Sequence, residues 1–204
     1  MARKFFDPEN NLWSWIGRIP EIVILSALWV LMSLPIITLI PASIALYDAM
    51  ARNVRPDEKG AYRRYFRTFW QELGRGILMS LLWLVIAGVL FVGFRILERQ
   101  AGESQGWAIY ALVYQVLSLL PLGIFLWVIP LESRFVYPYW TLHKNAAVMM
   151  LSYLPRTFLM LVLTVAAFVG CWYCPFILAF VPGLLALLIS IPVEKVFEKM
   201  TKED

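Results

Sequence analysis

Two cysteines three residues apart, a single histidine and two carboxylates after prolines are the residues here that could do chemistry. Cys171-Trp-Tyr-Cys174 has the spacing of a redox or metal-binding pair. A zinc site needs two further ligands, however, and thioredoxin-like chemistry needs a βαβ setting. His143 is the only histidine, which excludes a two-histidine metalloprotease motif, and there is no Walker A loop or Gly-rich nucleotide fingerprint. We therefore expect no enzyme, no cofactor and no metal site.

Glu132 and Glu194 each follow a proline at the end of a long uncharged run, in the motifs IPLE and IPVE. If these runs cross a membrane, a carboxylate at the edge must find water or a partner. Arg75 and Arg156 precede the matching runs and are the expected partners of Glu132 and Glu194. Asp48 belongs to the same belt. Two interpretations stay open, namely structural ion pairing and a docking surface for a partner or for lipid on the cytoplasmic face.

Uncharged runs decide the fold class. The chain is 61% hydrophobic and 16% charged, against about 45–50% and about 25% in an average globular chain. Four runs lack Asp, Glu, Lys and Arg, at 22–47, 77–94, 106–131 and 157–193. Roughly 20 apolar residues cross the hydrocarbon core of a bilayer. The first three runs each predict one span, and the fourth, with Pro175 near its middle, predicts two.

The predicted fold is all-α, a polytopic membrane helical bundle of about five transmembrane helices with amphipathic interfacial helices. Residues 1–204 form a single integral membrane domain. The predicted spans are 22–47, 77–97, 107–131, 157–173 and 175–193.

Charge placement predicts the orientation. When the five spans are taken in order, most of the 18 Lys and Arg fall after span one, after span three and in the C-terminal tail. Cytoplasmic loops carry the excess of Lys and Arg. This predicts an N-terminus outside and a cytoplasmic C-terminus.

Residues 61–74 form the clearest amphipathic segment. Aromatic residues recur at helical spacing, and Arg63, Arg64 and Arg67 flank them. An aromatic face with a basic rim is typical of a helix lying in the membrane interface, and the same stripe could instead pack on the bundle. A softer amphipathic segment covers 139–154.

Pro35 and Pro41 lie inside the first predicted span. Each proline removes a backbone donor and crowds the preceding turn, which predicts a kinked or partly unwound helix buried against its neighbours. Ser33, Thr38 and Ser43 are the residues most able to satisfy the freed groups. Such a break can be a bend in a packing helix or a discontinuity that lines a substrate path.

The chain also carries a candidate internal repeat, with copies at 62–135 and 143–197. LGRGILM and LPRTFLM precede the second and fourth spans, and IPLESRF and IPVEKVF end the third and fifth. Repeats of this kind build transporter cores, but a passive bundle can be duplicated in the same way.

The first span and the segments after it resemble a known family. WVLMSLPIIT followed by PASIALY, then YFRTF, later Arg134-Phe135, NAA and LPRT, is similar to the pattern of the YesL-like bacterial membrane proteins. The resemblance covers roughly 5–195. That family is largely a domain of unknown function, often encoded beside carbohydrate ABC-transporter components. The resemblance implies a multi-pass protein of the bacterial plasma membrane and supplies no catalytic residues.

Two functions are carried forward. The first is an integral membrane accessory or interaction protein of a carbohydrate ABC-type uptake system. Its partners would be the lipid bilayer and an ABC permease, and no nucleic acid. The alternative is a small transporter or channel for a neutral solute. Its path would be lined by hydroxyl groups, those of Ser33, Thr38, Ser80, Ser118 and Thr164.

Overall fold

Helices make up the regular structure of the described residues. The computed structural model describes residues 11–53, 60–101 and 105–203, without the side chains of 11–18, 53, 101, 105, 175 and 201–203. The helices are α1 Asn11–Ser33, α2 Leu39–Asn53, α3 Ala61–Ala101, α4 Gln105–Arg134, α5 Tyr139–Ser152, α6 Leu154–Tyr173 and α7 Val181–Glu203. Short 3-10 helices cover Ile36–Thr38 and Pro175–Ala179. In these residues α3, α4 and α6 are long and apolar enough to cross a membrane, and the predicted all-α membrane bundle is confirmed.

The predicted first span, 22–47, is a helical hairpin and not a single crossing. Trp29 Nε1 on α1 donates to Ser43 Oγ on α2 at 3.1 Å. A Cβ added at Gly183 of α7 would lie within 3.0 Å of both Ile22 Cγ2 of α1 and Met50 Cε of α2. The Ile22 and Met50 side chains are therefore close together. An unbroken helix would place Ile22 and Met50 about 42 Å apart. Since they meet, α2 runs back along α1, and the prediction of one span here is corrected.

Pro35 lies at the point where the chain reverses. It has an extended backbone (φ −74°, ψ 109°) and precedes the first 3-10 helix. Thr38 Oγ1 lies 2.6 Å from the carbonyl oxygens of both Met32 and Pro35. The hydroxyls of Ser33 and Ser43 each donate to a carbonyl of the preceding turn. The prediction that these hydroxyls satisfy freed backbone groups holds for Ser33 and Thr38, which reach carbonyls at the end of α1 and in the turn, whereas the Leu39 carbonyl bound by Ser43 lies inside α2.

Pro41 has a different position from the one predicted. It lies in the first turn of α2, where backbone N–H groups have no acceptor within the helix. Its missing N–H therefore removes no helical hydrogen bond. Its ring atoms instead lie within 2.9 Å of the position of a Cβ added at Gly76. Pro41 therefore fixes the close approach of α2 to α3, and the break belongs to Pro35 alone.

The tip of the α1–α2 hairpin reaches the apolar part of α3. Ile40 N–H donates to Ser80 Oγ at 3.3 Å, and Ile36 lines a small cavity together with Leu84 and Leu90. These α3 residues lie inside its uncharged run, 77–94. The tip of the hairpin thus packs against the uncharged run of α3, and the start of α1 and the end of α2 lie at the same end of the hairpin. The outside N-terminus was predicted from a single crossing at 22–47, and residues 1–10 lie outside the described residues.

Cysteine labelling checks this topology. In a background where Cys171 and Cys174 are serine, we expect Asn11→Cys and Tyr62→Cys to react with an impermeant maleimide in vesicles of the same orientation. Gly106→Cys, at the far end of the α3–α4 hairpin, should react only in vesicles of the opposite orientation. If Asn11→Cys followed Gly106→Cys, α1 and α2 would form one crossing after all.

α3 joins the predicted interfacial helix 61–74 to the span 77–97 in one unbroken helix of 41 residues, about 60 Å long. The predicted interfacial helix 61–74 is therefore continuous with the predicted span and is not a separate helix. α4 returns antiparallel to α3, with Tyr114 Oη donating to the Leu90 carbonyl at 3.1 Å.

The last helices close the molecule against the first. Thr157, at the start of α6, accepts a hydrogen bond from Trp127 Nε1 of α4 at 2.9 Å. The predicted fifth span, 175–193, begins with a 3-10 helix, and α7 starts only at Val181. Ser26 of α1 bonds to both the Phe180 carbonyl and the Gly183 N–H, at 3.2 and 2.9 Å. α2 lies at the centre and packs against α1, α3, α4 and α7.

Candidate functional site

Charged residues gather where α2 ends, α3 begins and α4 ends. Asp48 of α2 is only 6% exposed. It accepts hydrogen bonds from Thr68 Oγ1 and Arg52 Nε, both at 2.9 Å, and lies 3.9 Å from Arg64 Nε. Asp48 and Arg52 are neighbours because residues four apart share a helix face. A buried carboxylate must be paired, so this cluster holds α2 against the first part of α3.

The predicted pair of Arg75 and Glu132 is confirmed. Arg75 Nη1 lies 3.0 Å from Glu132 Oε1, and the side chains are 40% and 1% exposed. Arg75 Nη2 also donates to the Tyr137 carbonyl at 2.7 Å. One arginine therefore connects α3, the end of α4 and the segment before α5.

The predicted pair of Arg156 and Glu194 is wrong. Glu194 of α7 is bound by Arg134, the last residue of α4, through Nε at 2.9 Å and through Nη2. Tyr47 Oη donates to the same carboxylate at 3.4 Å. Arg156 lies over the ring of Tyr153, 5.2 Å from its centroid, at the distance of a cation–π contact. The two copies of the candidate repeat thus use different ion pairs.

Arg156 does not reach Glu194 because of the position along α4 at which α6 begins to pack. Trp127 of α4 donates to Thr157, and a Cβ added at Gly123 would lie 3.3 Å from Thr157 Cγ2. Arg156 therefore lies beside a part of α4 more than one turn away from Arg134. The repeat alignment placed Arg156 level with Glu194, and α6 does not follow that alignment.

These ion pairs have the features of contacts that stabilise the fold. In the described part of the chain no group of three or more His, Cys, Asp and Glu could hold a metal ion. Each carboxylate of the cluster faces a guanidinium, and Cys171 and Cys174 are free thiols. The geometry therefore favours structural ion pairing within the cluster, and a functional surface has to be sought outside it.

The aromatic stripe of α3 divides into two faces. Tyr65 and Phe69, 0% and 4% exposed, pack in the core beside Leu25. Tyr62 and Phe66, at 46% and 36%, point away from it. The interpretation that the stripe packs on the bundle therefore holds for the face of Tyr65 and Phe69, and the face of Tyr62 and Phe66 is open.

We call the open face of α3 the docking face, and it consists of Tyr62, Arg63, Phe66, Arg67 and Trp70. All five are exposed, Trp70 at 66%. Along the helix Trp70 lies about 10 Å, and Tyr62 about 22 Å, before the uncharged run that starts at Ile77. Tyr62, Phe66 and Trp70 thus precede the uncharged run of α3, and contiguous exposed apolar patches mark interaction sites.

The hydroxyl groups of the alternative solute path lie on five different helical elements of the described chain. Ser118 and Thr164 donate to carbonyls of their own helices, each at 2.7 Å. Ser80 accepts the Ile40 N–H, and the hydroxyls of Ser33 and Thr38 donate to carbonyls at the turn of the hairpin. Each hydroxyl satisfies backbone groups close to it.

Comparison with known proteins gives one finding. Residues 22–94 match the model of a family described as "Protein of unknown function, DUF624". The matched segment covers most of the α1–α2 hairpin and most of α3, including the docking face. Searches of curated proteins and of solved structures gave no match.

Proposed function

We propose that this protein is an integral membrane accessory protein that binds a larger membrane complex through the docking face of α3. The observation that carries the proposal is an open stripe of Tyr62, Phe66 and Trp70 in the part of α3 that precedes its uncharged run. Tyr, Trp and Arg dominate the binding energy of protein interfaces. The charges of the neighbouring cluster are paired internally, whereas Arg63 and Arg67 are directed outward with the aromatics.

The chemistry of the docking face defines its partner. Exposed arginines beside aromatic rings complement an apolar surface with an acidic rim. The YesL-like resemblance adds the kind of complex, a carbohydrate ABC-type importer of the bacterial plasma membrane, whose permease would present this surface.

The position of the basic residues supports a cytoplasmic docking face. Arg52, Arg63, Arg64 and Arg67 lie on the same side as the start of α1, and cytoplasmic segments carry the excess of Lys and Arg. We therefore place the first part of α1, in place of the outside N-terminus predicted from five spans, in the cytoplasm as well.

Purification from native membranes in mild detergent tests the proposal. Wild-type protein should retain an ABC permease at near-equal amount, identified by mass spectrometry. Trp70→Ala should reduce the retained permease about 30-fold, because a hot-spot tryptophan contributes about 2 kcal/mol or more. Trp140→Ala is the matched control, since Trp140 is 76% exposed on α5 and is not part of the docking face.

Two results would contradict the proposal. One is a wild-type protein that comes off alone, and the other is an equal loss of permease in both tryptophan variants. Saturable uptake of a neutral sugar by vesicles that contain only the purified protein would then favour the transporter alternative.

A further inference from the structure

A cavity of about 400 Å³ lies between the α1–α2 hairpin and helices α4, α6 and α7. Its wall is almost entirely apolar and includes Trp29, Leu46, Ile129, Phe168 and Ala186. Binding pockets for small ligands commonly measure about 300–1,000 Å³. The cavity is therefore large enough to hold a ligand and separates elements that otherwise pack closely.

The polar groups in this wall are already satisfied. Ser43 Oγ donates to a carbonyl of its own helix and accepts the Trp29 Nε1–H. Thr164 donates to a carbonyl one turn earlier, and Tyr47 Oη donates to Glu194. A buried water needs two to four polar partners, and the described wall residues offer little to hold one. The chemistry of the wall thus selects an apolar occupant.

The rim of the cavity faces the apolar surroundings of the protein. Phe168 of α6 is 71% exposed, and Leu178 of the second 3-10 helix is 37% exposed. α6 is one of the helices apolar enough to cross a membrane. An opening on this side meets the hydrocarbon of the bilayer, where acyl chains are the abundant apolar molecules.

One end of the cavity approaches the charged cluster. Ile129 and Pro130 line it, and Arg134, bound to Glu194, follows one turn later on α4. A lipid whose head group lies at the level of this ion pair would direct its chain inward along the cavity. The apolar wall, the opening beside α6 and the ion pair near one end therefore all favour a lipid chain as the occupant.

We infer that the cavity binds one acyl chain of a membrane phospholipid, which fills the space between the α1–α2 hairpin and α6. This lipid site is separate from the docking face on α3, and it stands or falls independently of the proposed partner.

Native mass spectrometry of the full chain, released from phosphatidylglycerol–phosphatidylethanolamine nanodiscs into mild detergent, tests the inference. Wild-type protein should carry one tightly held phospholipid. Ala167→Phe, which fills the cavity from α6, should lower the lipid-bound fraction at least fivefold. Ala166→Phe is the matched control, because Ala166 lies next in sequence but is exposed outside the wall, and it should retain the lipid. Ala186→Leu, which fills the cavity from α7, should reproduce the loss if Ala167→Phe does not fold.

Three results would contradict the inference. Wild-type protein without a retained phospholipid, or equal retention in Ala167→Phe and Ala166→Phe among folded proteins, would overturn the lipid site. So would a co-purified peptide segment cross-linked to Cys171 in the cavity wall, since an apolar protein segment would then be the occupant.

Discussion

Arg75→Ala should lower the free energy of unfolding by about 3 kcal/mol, measured by denaturant titration in mixed micelles. The substitution leaves the Glu132 carboxyl group, whose side chain is 1% exposed and also forms a hydrogen bond with Glu72, without its guanidinium. Breaking a buried ion pair from one side costs about 3–5 kcal/mol. The low end applies here because the Arg75 side chain is 40% exposed, so water reaches part of the site.

The double variant Arg75→Ala/Glu132→Leu is the control for this prediction. Replacing both charges removes the stranded carboxylate, and apolar replacements of buried pairs are often neutral. Most of the lost stability should return. A double variant as unstable as Arg75→Ala would show that the Arg75 contact to the Tyr137 carbonyl, and not the ion pair, supplies the stability.

Gly183→Ala should lower the free energy of unfolding by about 2 kcal/mol, which is within the usual range for overpacking a core. A Cβ at this position would lie 2.6 Å from Ser26 Oγ and 2.8 Å from Met50 Cε. Ser26 cannot move freely, because its hydroxyl bonds to the Ile22 carbonyl at 2.7 Å and accepts the Gly183 N–H. The added methyl group therefore pushes α7 away from α1.

Gly170→Ala is the matched control for Gly183→Ala. Nothing lies within 4 Å of a Cβ at Gly170, and alanine is favoured over glycine inside a helix by about 0.5–1 kcal/mol. Thermal unfolding in detergent should show Gly170→Ala at or above wild type and Gly183→Ala below it. Equal midpoints for the two variants would exclude a tight contact between α1 and α7.

The parts of the fold that depend on apolar length could be predicted from the sequence. Runs 77–94 and 106–131 each suffice to cross a bilayer, and they lie within α3 and α4. The pair of Arg75 and Glu132 followed from the same reasoning, because each lies at the edge of one of these antiparallel runs. A strong local pattern was enough in these places.

The α1–α2 hairpin could not be predicted in this way. Hydropathy measures the length of the uncharged run 22–47, not the direction of the chain within it. Pro35 and Pro41 predicted a broken helix, and a bend or a full reversal would use the same residues. What decides for reversal is packing across long sequence distances, such as Ser26 against Gly183. Arg134 was missed as the partner of Glu194 for the same reason, since a local alignment carries no information on helix depth.

The contact of α1 with α7 also sets the order of assembly on the ribosome. Ser26 and Gly183 are 157 residues apart, and a ribosome adding about 5–20 residues per second needs roughly 8–30 s to make that length. Throughout this interval the first helix has been synthesised but lacks its final neighbour. Early synthesis therefore leaves the apolar face of α1 to lipid or to the insertion machinery. The α1–α2 hairpin reaches its finished packing only after α7 has left the ribosome.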